Sequence, residues 1–513
     1  MERRFSGFER EIIDAHSYVV SMWPNLIRKD ASEEGNRIVL PYPYVFPNEE
    51  FFPYLFYWDS YFTIEGLSVD GCENAVRDTV ENFLWEMENY GHVLNYSHAR
   101  SLTRSQPPYL DRMVAEVMKW GAERDWVLKA YELLRREYEE VWLGRHSTPT
   151  GLARYCDWGH PDDETRAQFE SGWDFSTRWA ERCRFLNALD LNCNLYSYEK
   201  HLASLSRFLS REDEAAKWED RARHRKMLIN RHLYDSRSGL FFDYDYKAGR
   251  LLTDRPSLAL FHPLFVGVAD EGQAHKAVAA LPAFEQPWGL ACTKGSYPVL
   301  EGEARKAYQW DYPNGWAPLH WIAVKGLKKY GFHEDAARIA LKWLSLCASE
   351  YQETGFMWEK YNVVEGNHNA VSSPHYPTQR GFGWTNGVFS ALLGKVLIGL
   401  DKNPFDGHFV LEPMLASPLA GKELGAVFPN YYGHRVEVRF CLAPSLRRAE
   451  LRFSADRPVR LRLLIKDLHP DEELRFTPSI HPSTLREIEH PYPHLVVEWD
   501  GLEEMEGEIC WCD

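Results

Sequence analysis

Between Phe8 and Leu400 apolar residues recur at helical spacing, and after Asp401 that spacing falls to two. This switch constrains the fold more than any single motif. A stripe of period 3.6 is buried against other helices, whereas alternation at period two is buried as one face of a sheet. The helical stretches include Phe8 to Met22, Glu73 to Tyr90, Leu110 to Trp120, Trp126 to Trp142, Leu189 to Leu233, Leu258 to Val268, Ala274 to Leu281, Leu319 to Tyr330, Glu334 to Ser349 and Gly387 to Leu400. With more than ten such stretches and no fixed-period repeat, the expectation is a closed double ring of helices rather than a solenoid. Beyond it, His434 to Phe440, Ala449 to Phe453, Val459 to Leu463 and Leu495 to Trp499 predict antiparallel strands. The expected division is a helical domain over residues 1–400 and a β-rich domain over 401–513 with a structural role, and a short hairpin is expected at Gly239 to Tyr246.

The loops between helices carry the chemistry. Gln309-Trp310-Asp311-Tyr312-Pro313-Asn314-Gly315-Trp316-Ala317-Pro318 packs two indoles, a carboxylate, two amides and two prolines into ten residues. Pro, Asn and Gly shape the backbone, so Trp310 and Asp311 are aimed from a rigid loop. A sugar ring needs an apolar face to stack on and partners for its hydroxyls, and these side chains supply both. In one such segment the tryptophans could equally be core and Asp311 a helix cap. Recurrence favours the site: Tyr57-Trp58-Asp59-Ser60-Tyr61-Phe62, Gly172-Trp173-Asp174-Phe175-Ser176 and Trp358-Glu359-Lys360-Tyr361 repeat the design. Between them, Asn95 to Pro108 fixes Arg104 before a Pro-Pro corner, suited to gripping vicinal hydroxyls.

Composition agrees. Aromatic residues make up 14% of the chain, with 19 tryptophans, more than packing normally requires, which suggests an aromatic-lined cavity. A net charge of -16 argues against a nucleic-acid partner. Nine scattered cysteines without a C-x-x-C pair are expected to be reduced thiols, which favours a cytoplasmic location. Charges interrupt Met1 to Trp23, leaving no signal-peptide core, and no apolar run is long enough to span a membrane.

Glycosidic cleavage requires one carboxylic acid to protonate the leaving oxygen and one carboxylate to attack or to activate water. Asp174 and Glu359 each stand beside tryptophan, whose bulk raises a carboxyl pKa. Local spacing alone does not choose between them and Asp59 or Asp311.

The Trp58, Asp174, Gln309 and Glu359 segments, together with Arg104-Ser105-Gln106-Pro107-Pro108 and Gly381-Phe382-Gly383-Trp384-Thr385-Asn386-Gly387, resemble motifs of the trehalases, glycoside hydrolase family 37, in the same order over about residues 50 to 390. The resemblance implies an (α/α)6 barrel and metal-independent, cofactor-free, inverting hydrolysis of a small carbohydrate. It implies Asp174 as general acid and Glu359 as the base that activates water. Phe52, Trp58, Asp59, Asn95, Arg104, Gln106, Trp310, Asp311, Asn314, His375 and Trp384 look like sugar-pocket residues, and Arg154 stands for a further pocket arginine. The chain departs from the family pattern in three places. Phe51 replaces an arginine, His375 stands where a glutamate is expected, and Arg380 stands where an aspartate is expected. Losing a charged partner costs about 1.5–3 kcal/mol per hydrogen bond, enough to redirect specificity. The substrate is therefore trehalose or another small α-glucoside, including a glucosyl-polyol or glycerate as in the related family 63. A disaccharide phosphorylase is the rival class, disfavoured by the presence of Glu359.

Overall fold

The computed structural model describes residues 4–29, 34–295, 308–373, 375–469, 471–488, 492 and 494–512. Among these residues are thirteen α-helices and a nine-stranded sheet, eight of whose strands follow the helices and one of which, Phe5–Ser6, precedes them. Six of the helices contact one another in a cycle. Tyr57–Val69 packs on Leu110–Met118, that on Leu189–Phe208, then His262–Val266, Ala317–Lys329 and Gly383–Ala391, which returns to Tyr57–Val69. Others lie outside them: Glu73–Tyr90 on Tyr57–Val69, Glu212–His232 on Leu189–Phe208, and His333–Thr354 on Ala317–Lys329.

Tyr57–Val69 lacks an amphipathic stripe because it has no solvent face; all 13 of its residues are buried. It meets Gly383–Ala391 backbone to backbone. A Cβ on Gly66 would lie 2.5 Å from the Gly387 Cα, and one on Gly387 only 2.2 Å from the Phe62 carbonyl oxygen. Two glycines thus allow this crossing to close. Charge also locks the helices. Lys395 donates to Glu65 at 2.6 Å and Glu116 at 2.8 Å, and Lys119 reaches Asp401 at 2.7 Å.

Several boundaries differ from the periodicity reading. The stretch 189–233 is two helices, split where Ser210 takes a φ of 62°. The stretches at 126–142 and 387–400 end in π-helical turns, Glu137–Arg145 and Leu392–Ile398. No hairpin forms at Gly239 to Tyr246: Leu240–Phe241 pairs with Tyr234–Asp235, while Tyr244–Asp245 pairs with Leu186–Asn187 and Arg250–Leu251. Alternation reports a strand's faces and not its partner, which is why the sequence could not separate these sheets.

The sheet is mainly antiparallel, with one parallel pair, Phe409–Leu411 on Arg448–Lys466. The two alternating runs at 449–453 and 459–463 belong to that single long strand, whose register shifts between Ser454 and Leu461. Phe5–Ser6 adds to the sheet antiparallel to Glu423–Tyr431. All nine cysteines are free thiols. Among the described residues no helix is long and apolar enough to cross a membrane.

Candidate active site

The helix Glu164–Ser171 stops at Gly172, whose φ is 71°. A Cβ there would lie 2.6 Å from the indole of Trp58, so only glycine lets the chain turn against that ring and deliver Trp173 and Asp174. Phe175 follows with a φ of 61°, a conformation costly for an aromatic residue and held by its surroundings. Its N–H donates to Gln168 Oε1 at 3.2 Å. Next along the loop, Ser176 Oγ and the Thr177 N–H donate to Asp311 Oδ1 at 2.9 and 3.1 Å. Behind it Arg178 lies between the rings of Trp173 and Trp179 at 4.6 and 4.1 Å and pairs with Asp190 and Asp243, each at 2.8 Å.

Glu359 precedes the strand Lys360–Asn362, which pairs with Asn314–Trp316. Its N–H donates to the Gln379 carbonyl at 2.8 Å, and its own carbonyl accepts from Trp384 Nε1 at 3.0 Å. The carboxylate Oε2 accepts from Lys360 Nζ at 2.7 Å and from the Gln379 N–H at 3.3 Å.

Both loops open onto one cavity of about 500 Å³. Tryptophans wall it: Trp310 stacks on Trp316 with centroids 3.9 Å apart, and Trp384 stands edge-on to Trp316 at 5.5 Å. Trp58 leans on Trp310 at 5.6 Å. Asp59, Asp174 and Glu359 face the space. Burial, and then the charge of Glu359, push the Asp174 carboxyl up to about 7, although Lys360 and the hydrogen bond from Gln309 oppose this. Burial, with Glu359 and Asp174 nearby, also raises Asp59 well above the usual carboxylate range. Arg104 reaches the cavity over the ring of Phe169 at 5.4 Å, its guanidinium 3.6 Å from Asp157.

Of the residues singled out from sequence, Phe52, Trp58, Asp59, Asn95, Arg104, Gln106, Asp174, Trp310, Glu359, His375 and Trp384 line the cavity. Asn95 Nδ2 is committed to the carbonyls of Ser105 and Phe169, and Gln106 Oε1 accepts from the Trp58 N–H. Arg154, Asp311 and Asn314 lie elsewhere. Arg154 donates to the Arg184 carbonyl and the Tyr246 hydroxyl. Asp311 anchors the Asp174 loop, and Asn314 ties the Gln309 carbonyl to the backbone of Val371. The polar groups of Asp311 and Asn314 are spent on the protein itself, as is Nη1 of Arg154. Of the departures, Phe51 and His375 line the cavity while Arg380 lies over Phe356 at 5.0 Å; Pro374 lies outside the described residues. Sequence reasoning missed Tyr376, whose hydroxyl meets the Gln309 amide at 3.2 Å. Its only signal was its place beside His375.

Among the described residues one cluster, His146, Cys156 and Glu170, has the composition of a metal site. Its imidazole and carboxylate already bond the protein. The imidazole bonds the Val141 carbonyl and Glu170, and Glu170 accepts from the N–H groups of Ser105 and Cys156.

The family model for trehalase matches residues 7–157 and 157–396. The chain belongs to the trehalase family. It is a glycoside hydrolase. Among solved structures it is similar to the neutral trehalase Nth1 of Saccharomyces cerevisiae, with 28% identity, 74% of this chain and 79% of that one covered, and a TM-score of 0.61. It also shares its fold with a GH63 mannosylglycerate hydrolase of Thermus thermophilus, with 18% identity, coverage of 74% and 99%, and a TM-score of 0.57. A Streptomyces avermitilis α-L-rhamnosidase, 13% identical with a TM-score of 0.56, matches 98% of this trehalase-family chain and 42% of its own, so that likeness extends through the sheet.

Proposed function

We propose that the protein is an inverting α-glycosidase that hydrolyses α,α-trehalose or a closely related small α-glucoside. The observation that carries this reading is that Asp174 and Glu359, from loops far apart in sequence, share one tryptophan-walled cavity, with Asp174 held near pH 7 as a proton donor. Asp174 gives its proton to the glycosidic oxygen as the bond to the anomeric carbon breaks. Glu359 takes a proton from water, and the resulting hydroxide forms the new bond from the opposite face. Oε2 of Glu359 is held by Lys360 and Gln379, and the Tyr376 hydroxyl also bonds this carboxylate, which fixes its orientation toward the water. The tryptophan faces stack the glucosyl ring, and Asp59 and Arg104 bind its hydroxyls.

The cyclic order of the six inner helices supports an (α/α)6 barrel as the catalytic unit, residues 1–400, with 401–513 as a supporting β-domain. Free thiols support a cytoplasmic location.

A second reading keeps the mechanism and changes the leaving group to another sugar, a polyol or glycerate. Phe51 and His375 on the cavity wall favour it, because each replaces a charged partner expected for trehalose. Turnover of a panel of trehalose, kojibiose, maltose, glucosylglycerol and glucosylglycerate, with the first-formed anomer followed by NMR, tests both. Inversion releases the attacked glucosyl unit as the β-anomer, so trehalose is expected to give equal initial amounts of β- and α-glucose and glucosylglycerol or glucosylglycerate β-glucose alone; initial release of the α-anomer without the β-anomer overturns inversion.

A further inference from the structure

The two carboxylates are joined by a chain of buried side chains. Gln309 Nε2 donates to Asp174 Oδ2 at 2.8 Å. The other end of the amide, Oε1, accepts from Lys360 Nζ at 3.3 Å, and Lys360 Nζ also donates to Glu359 Oε2 at 2.7 Å. The Tyr376 hydroxyl sits against the same amide, 3.2 Å from Nε2 and 3.3 Å from Oε1. Gln309 and Lys360 are both 0% exposed, so water does not compete for these bonds.

The shape of an amide leaves its two ends interchangeable, and its neighbours decide which way it faces. Lys360 offers only donors, so it takes the amide oxygen and turns the NH₂ group toward Asp174. The ammonium is itself pinned over the rings of Trp316 at 4.8 Å and Tyr376 at 5.4 Å. In a protonated carboxyl the carbonyl oxygen is the stronger acceptor, so an N–H fixed on Oδ2 favours the proton on Oδ1. Resting on the acid and base reading above, we propose that Lys360 and Gln309 are positioning residues: Lys360 orients the Gln309 amide, and the amide confines the proton of Asp174 to Oδ1. The proton donor is thereby given one direction of delivery, and its orientation is coupled to the base through a single lysine.

Other titratable groups facing Asp174 are Asp59, Glu359 and Tyr376, while Arg104 and His375 line the same cavity. The test therefore reads proton delivery rather than overall activity. Gln309→Glu, which keeps the shape but presents an acceptor to Asp174, Gln309→Leu and Lys360→Met are compared with the unaltered enzyme on two substrates. One is the disaccharide turned over fastest in the panel, whose leaving sugar needs a proton. The other is α-glucosyl fluoride, whose fluoride leaves without one. The expected result is a loss of kcat at least tenfold greater on the disaccharide than on the fluoride in all three variants, within the about 10²–10⁴-fold that general acid catalysis supplies. Lys360→Arg, which keeps a donor-only cation, is expected to recover part of the difference. Equal losses on the two substrates, or no loss with Gln309→Glu, overturn the proposal. Asp174→Asn is measured alongside: if it retains disaccharide turnover, the acid assignment itself fails, whatever the other variants do.

Discussion

Asp311 holds Thr177 by both its backbone N–H and its hydroxyl, so the loop that presents Asp174 is anchored by the residue next to Trp310. The tryptophan wall and the carboxylate that faces it are therefore set by one junction. Burial raises the Asp311 carboxyl to about 6, yet four hydrogen bonds from Ser176 and Thr177 still close on it. Asp311→Ala leaves the Thr177 N–H and hydroxyl without this partner and Ser176 Oγ with the Trp310 carbonyl alone. The expected cost is about 2–3 kcal/mol of stability, read from urea denaturation, with a larger fall in kcat than rise in KM because Asp174 loses its orientation.

The pH dependence follows from Asp174. As the proposed general acid it must be protonated, and its carboxyl is raised to about 7 by burial and by Glu359. Asp174 thus sets the basic limb of the profile, and activity on a disaccharide is expected to fall as pH rises through about 7. Asp174→Asn is expected to lower kcat by about 10²–10⁴ and to abolish that basic limb. A pH profile of kcat unchanged in the variant would contradict the assignment.

The glycine crossing makes a prediction about stability alone. A methyl group on Gly387 would sit 2.2 Å from the Phe62 carbonyl oxygen, which belongs to backbone and cannot swing away. Gly387→Ala and Gly66→Ala are each expected to destabilise by about 1–3 kcal/mol or more, measured as a lowered Tm. The corresponding change at Gly355, where an added Cβ meets nothing within 4 Å, strains only the backbone at its positive φ and should cost less.

Lys395 lies between Glu65 and Glu116 with no exposed surface of its own. Lys395→Met removes the cation from Glu65 and leaves Glu116 with Lys119 alone, and is expected to cost about 3–5 kcal/mol. Burial raises the Glu116 carboxyl, but Lys119 and Lys395 outweigh it and hold it below its ordinary value. Stability from this pair is thus complete above the ordinary carboxylate range and lost as pH falls through the depressed value. Acid unfolding monitored by circular dichroism should begin at higher pH in Lys395→Met.

The four aromatic and acidic segments could be read from sequence because tryptophan beside a carboxylate in a proline-shaped loop is hard to explain as packing. Which side chain of a segment faces inward was not legible. Trp310 enters the cavity while its neighbour Asp311 turns back to Thr177, and no local pattern separates them. Tyr376 was missed for the same reason, since an irregular loop has no period to mark its inner face. Helical spacing revealed the helices but not their order around the cycle, which depends on contacts between distant residues such as Gly66 and Gly387. The two-residue strand Phe5–Ser6 was too short to show alternation.

That short strand limits how the molecule can be cut. Phe5 pairs with Ala426 and packs edge-on to Phe428 at 5.9 Å, while Arg4 reaches Asp70, which also accepts from Trp23 and Ser390. An early segment is thus one latch by which late strands grip the helices, beside the direct pair of Lys119 with Asp401. Severing the chain near residue 400 would leave one fragment with an orphaned latch and the other with a bare sheet edge, so the helical ring cannot be borrowed as a free-standing scaffold without the strands that hold it shut.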